Sequence, residues 1–356
     1  MIIFFPFIVA FIITSLITPI AIFFIKKLGL LDDPKRHKHP GIIHKKPTPR
    51  GGGIPFFLGI ALTGIFFLPL TNTMIALFIA GSIALLIGVV DDKYDISPYV
   101  RFIGNIVVAL IVVGASITIP FITNPFGGIL FLNSISLPVD FLGFHLVILL
   151  SDVIAMLWII WVMNMLNWSK GVDGQMPGIV AISAIVIGLL SLRLGGFDHF
   201  SEISVNLSFI IAGASLGFLV FNFHPAKIFP GYGATAVYLL LAAVSIMSGA
   251  KLATAILVMG VPMIDGLFTI LRRVLSGRSP FWHDKKHLHH LLLNFGIGQR
   301  RIALFYWIIS AILGSLALVL SSREKLFAII MLLIVVGGAL LFLHRILRNT
   351  YDKDRL

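Results

Sequence analysis

Three carboxylates, Asp91, Asp92 and Asp95, close a long apolar run in the stretch GVVDDKYDISPYVR, Gly88 to Arg101. A charge at mid-bilayer costs about 2.5–3.5 kcal/mol on insertion scales, so carboxylates packed against an apolar segment need a chemical reason. The bland alternative is that they mark where a helix meets water. Three other polar clusters, distant in sequence but on the same expected side of the membrane, favour chemistry. NMLNWSKGVDGQMPG spaces Asn164, Asn167, Lys170 and Asp173 three apart, which on a helix is one face, before Gly171 and Gly174 loosen the backbone. PTPRGGG sets Arg50 directly before glycines that let backbone approach a ligand closely. The segment from Arg272 to Arg301 carries His287, His289 and His290 with Asp284. The chain has no cysteine and this segment is strongly basic, so zinc suits it less well than a polyanion such as a diphosphate, with Mg²⁺ as the expected bridging ion.

Stepping from these residues to what must hold them, 58% apolar and 12% charged residues exclude a soluble globular domain of this length. The expected class is an all-α polytopic integral membrane protein. Its first apolar run, Ile2 to Ile25, is too long for a signal-peptide core and lacks a basic residue before it, so it reads as a retained helix. Further runs near 52–70, 73–90, 102–122, 146–166, 177–195, 205–223, 233–248, 251–271, 302–321 and 325–344 bring the count to about eleven transmembrane helices.

The net charge of +12 raises the question of nucleic acid, and the placement of the basic residues answers it. Lys26, Lys27, Lys35, Arg36, Lys38, Lys45, Lys46 and Arg50 crowd one segment, which the positive-inside rule puts in the cytoplasm, with the N-terminus outside. Eleven spans then place Arg345, Arg348, Lys353 and Arg355 at a cytoplasmic C-terminus, and only Arg193, Lys251, Arg323 and Lys325 fall outside. The bilayer, and no nucleic acid, is the partner this pattern implies. The outer segment from Thr123 to His145 alternates apolar and polar residues after a Gly pair, which predicts a short outer β-hairpin. Residues 1–356 are read as a single transmembrane domain with cytoplasmic loops near 26–50, 91–101, 167–177, 224–232 and 272–301. A lipid-facing stripe leaves a homodimer open, and no stripe is singled out. Asp265, inside an apolar run, is expected to pair with Arg272 or Arg273 across helical turns.

In order and nearly end to end, the motifs resemble those of the polyprenyl-phosphate N-acetylhexosamine-1-phosphate transferases, or glycosyltransferase family 4. This integral membrane family includes enzymes that start O-antigen and teichoic acid synthesis and, more distantly, phospho-MurNAc-pentapeptide transferase. PTPRGGG resembles P-x-P-R-x-G-G, GVVDDKYDISP resembles G-x-x-D-D-x-x-D, and NMLNWSKGVDG resembles N-x-x-N-x-x-D-G-x-D-G. FNFHPAKIFPGYGAT resembles F-N-x-x-P-A-K-I-F-x-G-D-x-G-S, and DKKHLHH resembles the D-x-x-H-x-H-H form of the GlcNAc-type branch.

The resemblance implies transfer of a sugar 1-phosphate from a UDP-sugar, in particular UDP-GlcNAc, to polyprenyl (undecaprenyl) phosphate with release of UMP. The enzyme would sit in the plasma membrane with its active site facing the cytoplasm, at the first membrane step of cell-envelope glycan synthesis. It implies that Asp91 and Asp92 orient or activate the lipid phosphate and, with Asn167, hold Mg²⁺. Asp173 would support the loop, and Arg50, Asn164, His287, His289 and His290 would contact substrate.

Two positions depart from the pattern: Lys170 stands where the family has the first Asp of D-G-x-D-G, and Tyr232 where it has the Asp of G-D-x-G-S, a principal Mg²⁺ ligand. Three readings stay open. Mg²⁺ binds through the remaining ligands, the Lys170 ammonium takes over part of its charge neutralisation, or catalysis is lost and binding of lipid phosphate or nucleotide sugar remains. A transporter of an anionic lipid or solute fits less well, because the ionisable residues gather at the inner helix ends rather than at mid-membrane.

Overall fold

The computed structural model describes residues 4–35, 44, 46–124, 127–141, 144–194, 199–248, 252–282 and 284–353. Of the charges used for the topology, Arg36, Lys38, Lys45, Lys251 and Arg355 lie outside the described residues.

Helices dominate. They are α1 (Phe4–Lys27), α2 (Gly53–Phe67), α3 (Asn72–Tyr94), α4 (Pro98–Gly114), α5 (Leu150–Trp168), α6 (Gln175–Leu194), α7 (His199–Asn222), α8 (Thr235–Met247), α9 (Leu252–Val258), α10 (Gly260–Leu275), α11 (Leu288–Asn294), α12 (Gln299–Val319) and α13 (Ser322–Lys353). Among the described residues seven helices are long and apolar enough to cross a membrane, and eight if the bent pair α9–α10 counts as one span. The apolar helices α2, α4 and α8 are shorter than the roughly 18–20 residues a perpendicular crossing needs. The chain is thus a multi-pass membrane protein.

Several helix ends differ from the apolar runs, each for a local reason. The run to residue 122 leaves the helix at Gly114, where Ala115 and Ser116 turn back on the last carbonyls and Ser116 takes φ 68°. The run from 251 breaks by 84° between α9 and α10. Pro262 has no N–H to offer the Val258 carbonyl and its ring crowds it, which disfavours a straight helix at this point. The run from 146 begins as strand and becomes helix only at Leu150.

Beside the helices stand six short strands among the described residues, four of them overlapping the segment from Thr123 to His145 where a short hairpin is expected. β1 (Leu31–Asp32) pairs with β2 (Thr48–Pro49), tying both ends of the first basic loop together. β3 (Phe121–Thr123) pairs with β4 (Ile129–Phe131), and β5 (Ser136–Phe141) with β6 (Phe144–Leu149), all antiparallel.

At the centre stands α8, every residue of which is buried from Thr235 to Ile246, with α2, α3, α5, α6 and α7 around it. In lipid there is little hydrophobic gain in packing helix on helix, so close approach and interhelical hydrogen bonds must do it. Trp158 of α5 donates to Ser245 Oγ of α8 at 2.9 Å, and Ser191 of α6 meets Ser204 of α7 at 2.9 Å. Helix α13 lies at the edge, with Phe327, Met331, Ile334, Val335 and Phe342 exposed as a lipid-facing surface.

Candidate active site

The last turn of α3 carries Asp91 and Asp92, and a 3₁₀ turn at Tyr232–Ala234 leads into α8 beside it. These backbones touch because Gly88 has no side chain: a Cβ there would overlap Gly233. Gly231 adopts φ 67° and brings the turn's amides onto Asp92. Tyr232 N–H donates to Asp92 Oδ1 at 2.8 Å, and Gly233 N–H lies 3.5 Å from Oδ2. Arg50 follows β2 and bridges to Phe229, and the Gly51 and Gly52 amides also face the Phe229 carbonyl. The guanidinium so placed donates from Nε to Asp92 Oδ1 at 2.8 Å and lies 3.5 Å from Asp91 Oδ2. Arg101 of α4 reaches the same Asp91 oxygen at 3.4 Å.

Both aspartate side chains are fully covered. What faces the adjacent cavity of about 340 Å³ there is instead Arg50, Arg101 and Lys170, with residues from all five polar loops completing the wall. That volume lies in the range of small-ligand sites. The last turns of α5 contribute Asn164 and Asn167, and the loop after it Lys170 and Asp173, which line one side. Asn164 donates to the Ile160 carbonyl of its own helix, whereas Asn167 Oδ1 is buried without a partner. Lys170 Nζ donates to the Gly231 carbonyl at 2.9 Å. Asp173 acts as a clamp: its Oδ2 meets His224 Nδ1 at 2.7 Å and accepts from Ala226 N–H, while its own N–H donates to Gln299. Beside it Asn222 accepts from Gly174 N–H and donates to the Ile228 carbonyl.

Across the cavity stand the three histidines at the start of α11. Asp265 does not pair with Arg272 or Arg273. The bend into α10 aims it at α11, where its Oδ2 meets His287 Nδ1 at 2.8 Å and its Oδ1 caps Leu288 N–H. Asp284 takes the two arginines instead, at 2.9 and 3.1 Å. His287 stacks on His289 with rings 5.6 Å apart, and His289 packs on His290 at 4.3 Å. Burial first, and then the neighbouring imidazoles, hold His289 well below its ordinary pKa. Burial, His287 and Lys285 bring His290 down to about 4. At neutral pH these two rings are therefore uncharged hydrogen-bonding groups, not part of a cationic cluster.

Gly171 meets this cluster edge-on, since a Cβ there would overlap the His289 ring. Gly171→Ala is expected to displace His289 at a stability cost of about 1–3 kcal/mol, with a loss of turnover that exceeds any change in folded fraction. Thermal unfolding and sugar-phosphate transfer, measured on one preparation, separate the two. Normal transfer would show that the His289 position is immaterial.

Whether these groups suit Mg²⁺ turns on the donors. A Mg²⁺ ion wants oxygen ligands in near-octahedral array, usually including carboxylates. Asp91 Oδ1 and Asn167 Oδ1 are buried without partners. Asp92 is taken up by Arg50 and two amides, and the second Asp91 oxygen by two arginines. No three His, Cys, Asp or Glu side chains gather to hold an ion among the described residues. Tyr232 points its hydroxyl at Asn105, 3.3 Å away, and its ring lies between Arg101 and Lys170, 5.5 and 5.8 Å from its centroid. Asp91 and Asp92, engaged by arginines and amides, do not fit a dication, and although Asp32, Asp95, Asp173 and Asp284 also line the cavity, no three such donors converge among the described residues for Mg²⁺ or zinc.

The sequence alone does not single out Arg101, Asn105, Asn222 or Gln299. Arg101 had a usable signal, being a basic residue one turn into a helix that follows two carboxylates. The others are ordinary polar residues whose partners lie far away in the chain.

These loops sit in a chain whose residues 74–249 match the description Glycosyl transferase family 4. It is 31% identical over 343 residues to a probable undecaprenyl-phosphate N-acetylglucosaminyl 1-phosphate transferase of Bacillus subtilis, covering 92% of this chain and 88% of that one. Over 366 residues it is 31% identical to a decaprenyl-phosphate N-acetylglucosaminephosphotransferase of Mycobacterium tuberculosis, covering 92% and 86%. An undecaprenyl-phosphate alpha-N-acetylglucosaminyl 1-phosphate transferase of Escherichia coli is 27% identical over 82% of this chain and 76% of its own. With identity at this level running nearly end to end, through the loops that build the cavity, the chain belongs to glycosyl transferase family 4.

Proposed function

We propose that this protein transfers N-acetylhexosamine 1-phosphate, of the GlcNAc type, from a UDP-sugar to polyprenyl phosphate and releases UMP. What carries the reading is the cavity where all five polar loops converge, with Arg50, Arg101 and Lys170 set over two buried carboxylates. Its relatives, named for this chemistry, support it. A lipid phosphate oxygen bonds to the sugar-bearing phosphorus as the bond from that phosphorus to UMP breaks. Two anions must meet, so alignment and charge neutralisation are the main catalytic tasks. Arg50, Arg101 and Lys170 supply positive charge to the reacting phosphates. Asp91, fully covered behind the cavity wall, acts on the attacking phosphate through Arg50 and Arg101, which it holds in place. His287, fixed by Asp265, and the neutral His289 and His290 hydrogen-bond the nucleotide side, and Asp173 holds the 222–228 loop in place.

In the same reading the three shorter apolar helices complete eleven crossings of a plasma membrane. The N-terminus lies outside, the paired strands of residues 121–149 lie on the outer face, and the cavity opens to the cytoplasm as part of one domain. Cysteine labelling from either side of intact cells tests the orientation.

Transfer of labelled GlcNAc 1-phosphate from UDP-GlcNAc to undecaprenyl phosphate in detergent, with UMP as co-product, tests the reaction. Failure with UDP-GlcNAc and with other UDP-N-acetylhexosamines would overturn it. A second reading, binding without turnover, is favoured by the engagement of Asp92 on both oxygens, and substrate binding without UMP release would establish it.

A further inference from the structure

One part of the cavity wall presents Arg50, Arg101 and Lys170, with Asp91 and Asp92 behind them, while Asp32, Asp95, Asp173 and Asp284 line it elsewhere. Arg50 and Arg101 are balanced by Asp91 and Asp92, with which they pair at 2.8–3.5 Å. Lys170 is the third cation of this group and pairs with neither Asp91 nor Asp92, although Asp32 and Asp95 also face the cluster. Its ammonium has three N–H donors, and the structure uses one, on the Gly231 carbonyl. The amine lies on the cavity wall with Arg50 and Arg101. The Tyr232 ring, fixed at its hydroxyl by Asn105, offers a π-face to both Lys170 and Arg101 and so lessens the cost of placing two cations close together.

We propose that Lys170 is a built-in counter-cation for phosphate oxygens, so that this cavity takes a phosphate or diphosphate ester without a divalent metal. The identity of the ester rests on the function proposed above. An ammonium binds phosphate as a point charge and can follow the oxygens as charge moves between them. It cannot share the same small volume with a dication without direct repulsion. The site has thus exchanged a diffusible cation for a covalently attached one, and its occupancy by ligand should be independent of free Mg²⁺.

The test uses the full chain in lipid nanodiscs, titrated calorimetrically with UDP-GlcNAc and, separately, with a short-chain polyprenyl phosphate, each with EDTA or with excess Mg²⁺. The two ligands distinguish a nucleotide diphosphate from a lipid headgroup as the phosphate source. Affinity within about twofold between EDTA and Mg²⁺ is expected, together with a loss of about tenfold or more in Lys170→Ala. Lys170→Arg retains the charge and serves where the alanine variant does not fold; it should bind without metal. Mn²⁺, followed by electron paramagnetic resonance, should remain free in the presence of the native protein and become bound in Lys170→Asp/Tyr232→Asp. Binding that requires Mg²⁺, stoichiometric capture of Mn²⁺ by the native chain, or undiminished affinity in a folded Lys170→Ala overturns this inference and leaves the transferase reading standing. Absence of binding by both ligands under both conditions overturns the two together.

Discussion

Arg50→Ala is expected to cost about 3 kcal/mol of stability, and nucleotide-sugar binding should fall below detection. The stability figure follows from burial: removing one partner of a buried ion pair leaves its charge uncompensated, which costs about 3–5 kcal/mol. Here one guanidinium serves two fully covered carboxylates, and Arg101 shares only Asp91. Asp92 would keep its amide donors from Tyr232 and Gly233, which is why the lower end of the range applies. Adding Asp92→Asn separates structure from function. Asn can still accept the Tyr232 N–H but carries no charge, so the double variant should regain at least about 1 kcal/mol while binding stays lost. Unfolding in detergent and calorimetric titration with UDP-GlcNAc read the two quantities. If the single variant were as stable as the native protein, the two aspartates would not depend on Arg50 for neutralisation.

The multi-pass helical architecture was legible because long apolar runs have few physical outcomes in a protein this poor in charge. Their ends were less so. The break before α10 falls beside Pro262 in a run that passes as apolar overall, and the turn at Ala115 depends on backbone angles that hydropathy does not encode. The strands between 121 and 149 are built from residues equally able to continue a membrane helix, so the run from 146 was read four residues too early.

The site was legible where a charge had to be justified at an apolar boundary. Asp91, Asp92, Arg50, Lys170 and the histidines stood out in this way, and the fold brings them around one cavity or directly behind its wall. Their roles were not legible, because roles depend on partners. Asp265 looked like a mate for Arg272 one or two turns along its helix, but the bend presents it to His287, 22 positions away. Asp173 was expected to support its loop, but its partners were not evident: its carboxylate meets His224 and an amide 53 positions away. The protonation state of the histidines was not legible either. Burial, which no local pattern reveals, makes His289 and His290 neutral.

Raising the pH through about 8 should lower kcat/KM toward a tenfold fall per unit while making the ligand-free protein more stable. Both effects come from Lys170, whose pKa is brought down from 10.5 to about 8, by burial first and then by Arg50, with Arg101 adding to the repulsion and Asp92 and Asp91 opposing it. Below that value the ammonium is present to meet phosphate, and above it the neutral amine is not. The profile of kcat/KM reports the free enzyme, so the fall should begin there. Stability moves the other way. The folded-state pKa lies below the unfolded one, so between about 8 and 10.5 the unfolded chain holds more protons than the native chain, and unfolding becomes harder as pH rises. A purely structural lysine would give the second trend without the first. Lys170→Arg, whose guanidinium stays charged throughout, should flatten both. A native profile that stays level from pH 7 to 9, or an arginine variant that keeps the fall, would assign the titration to another group.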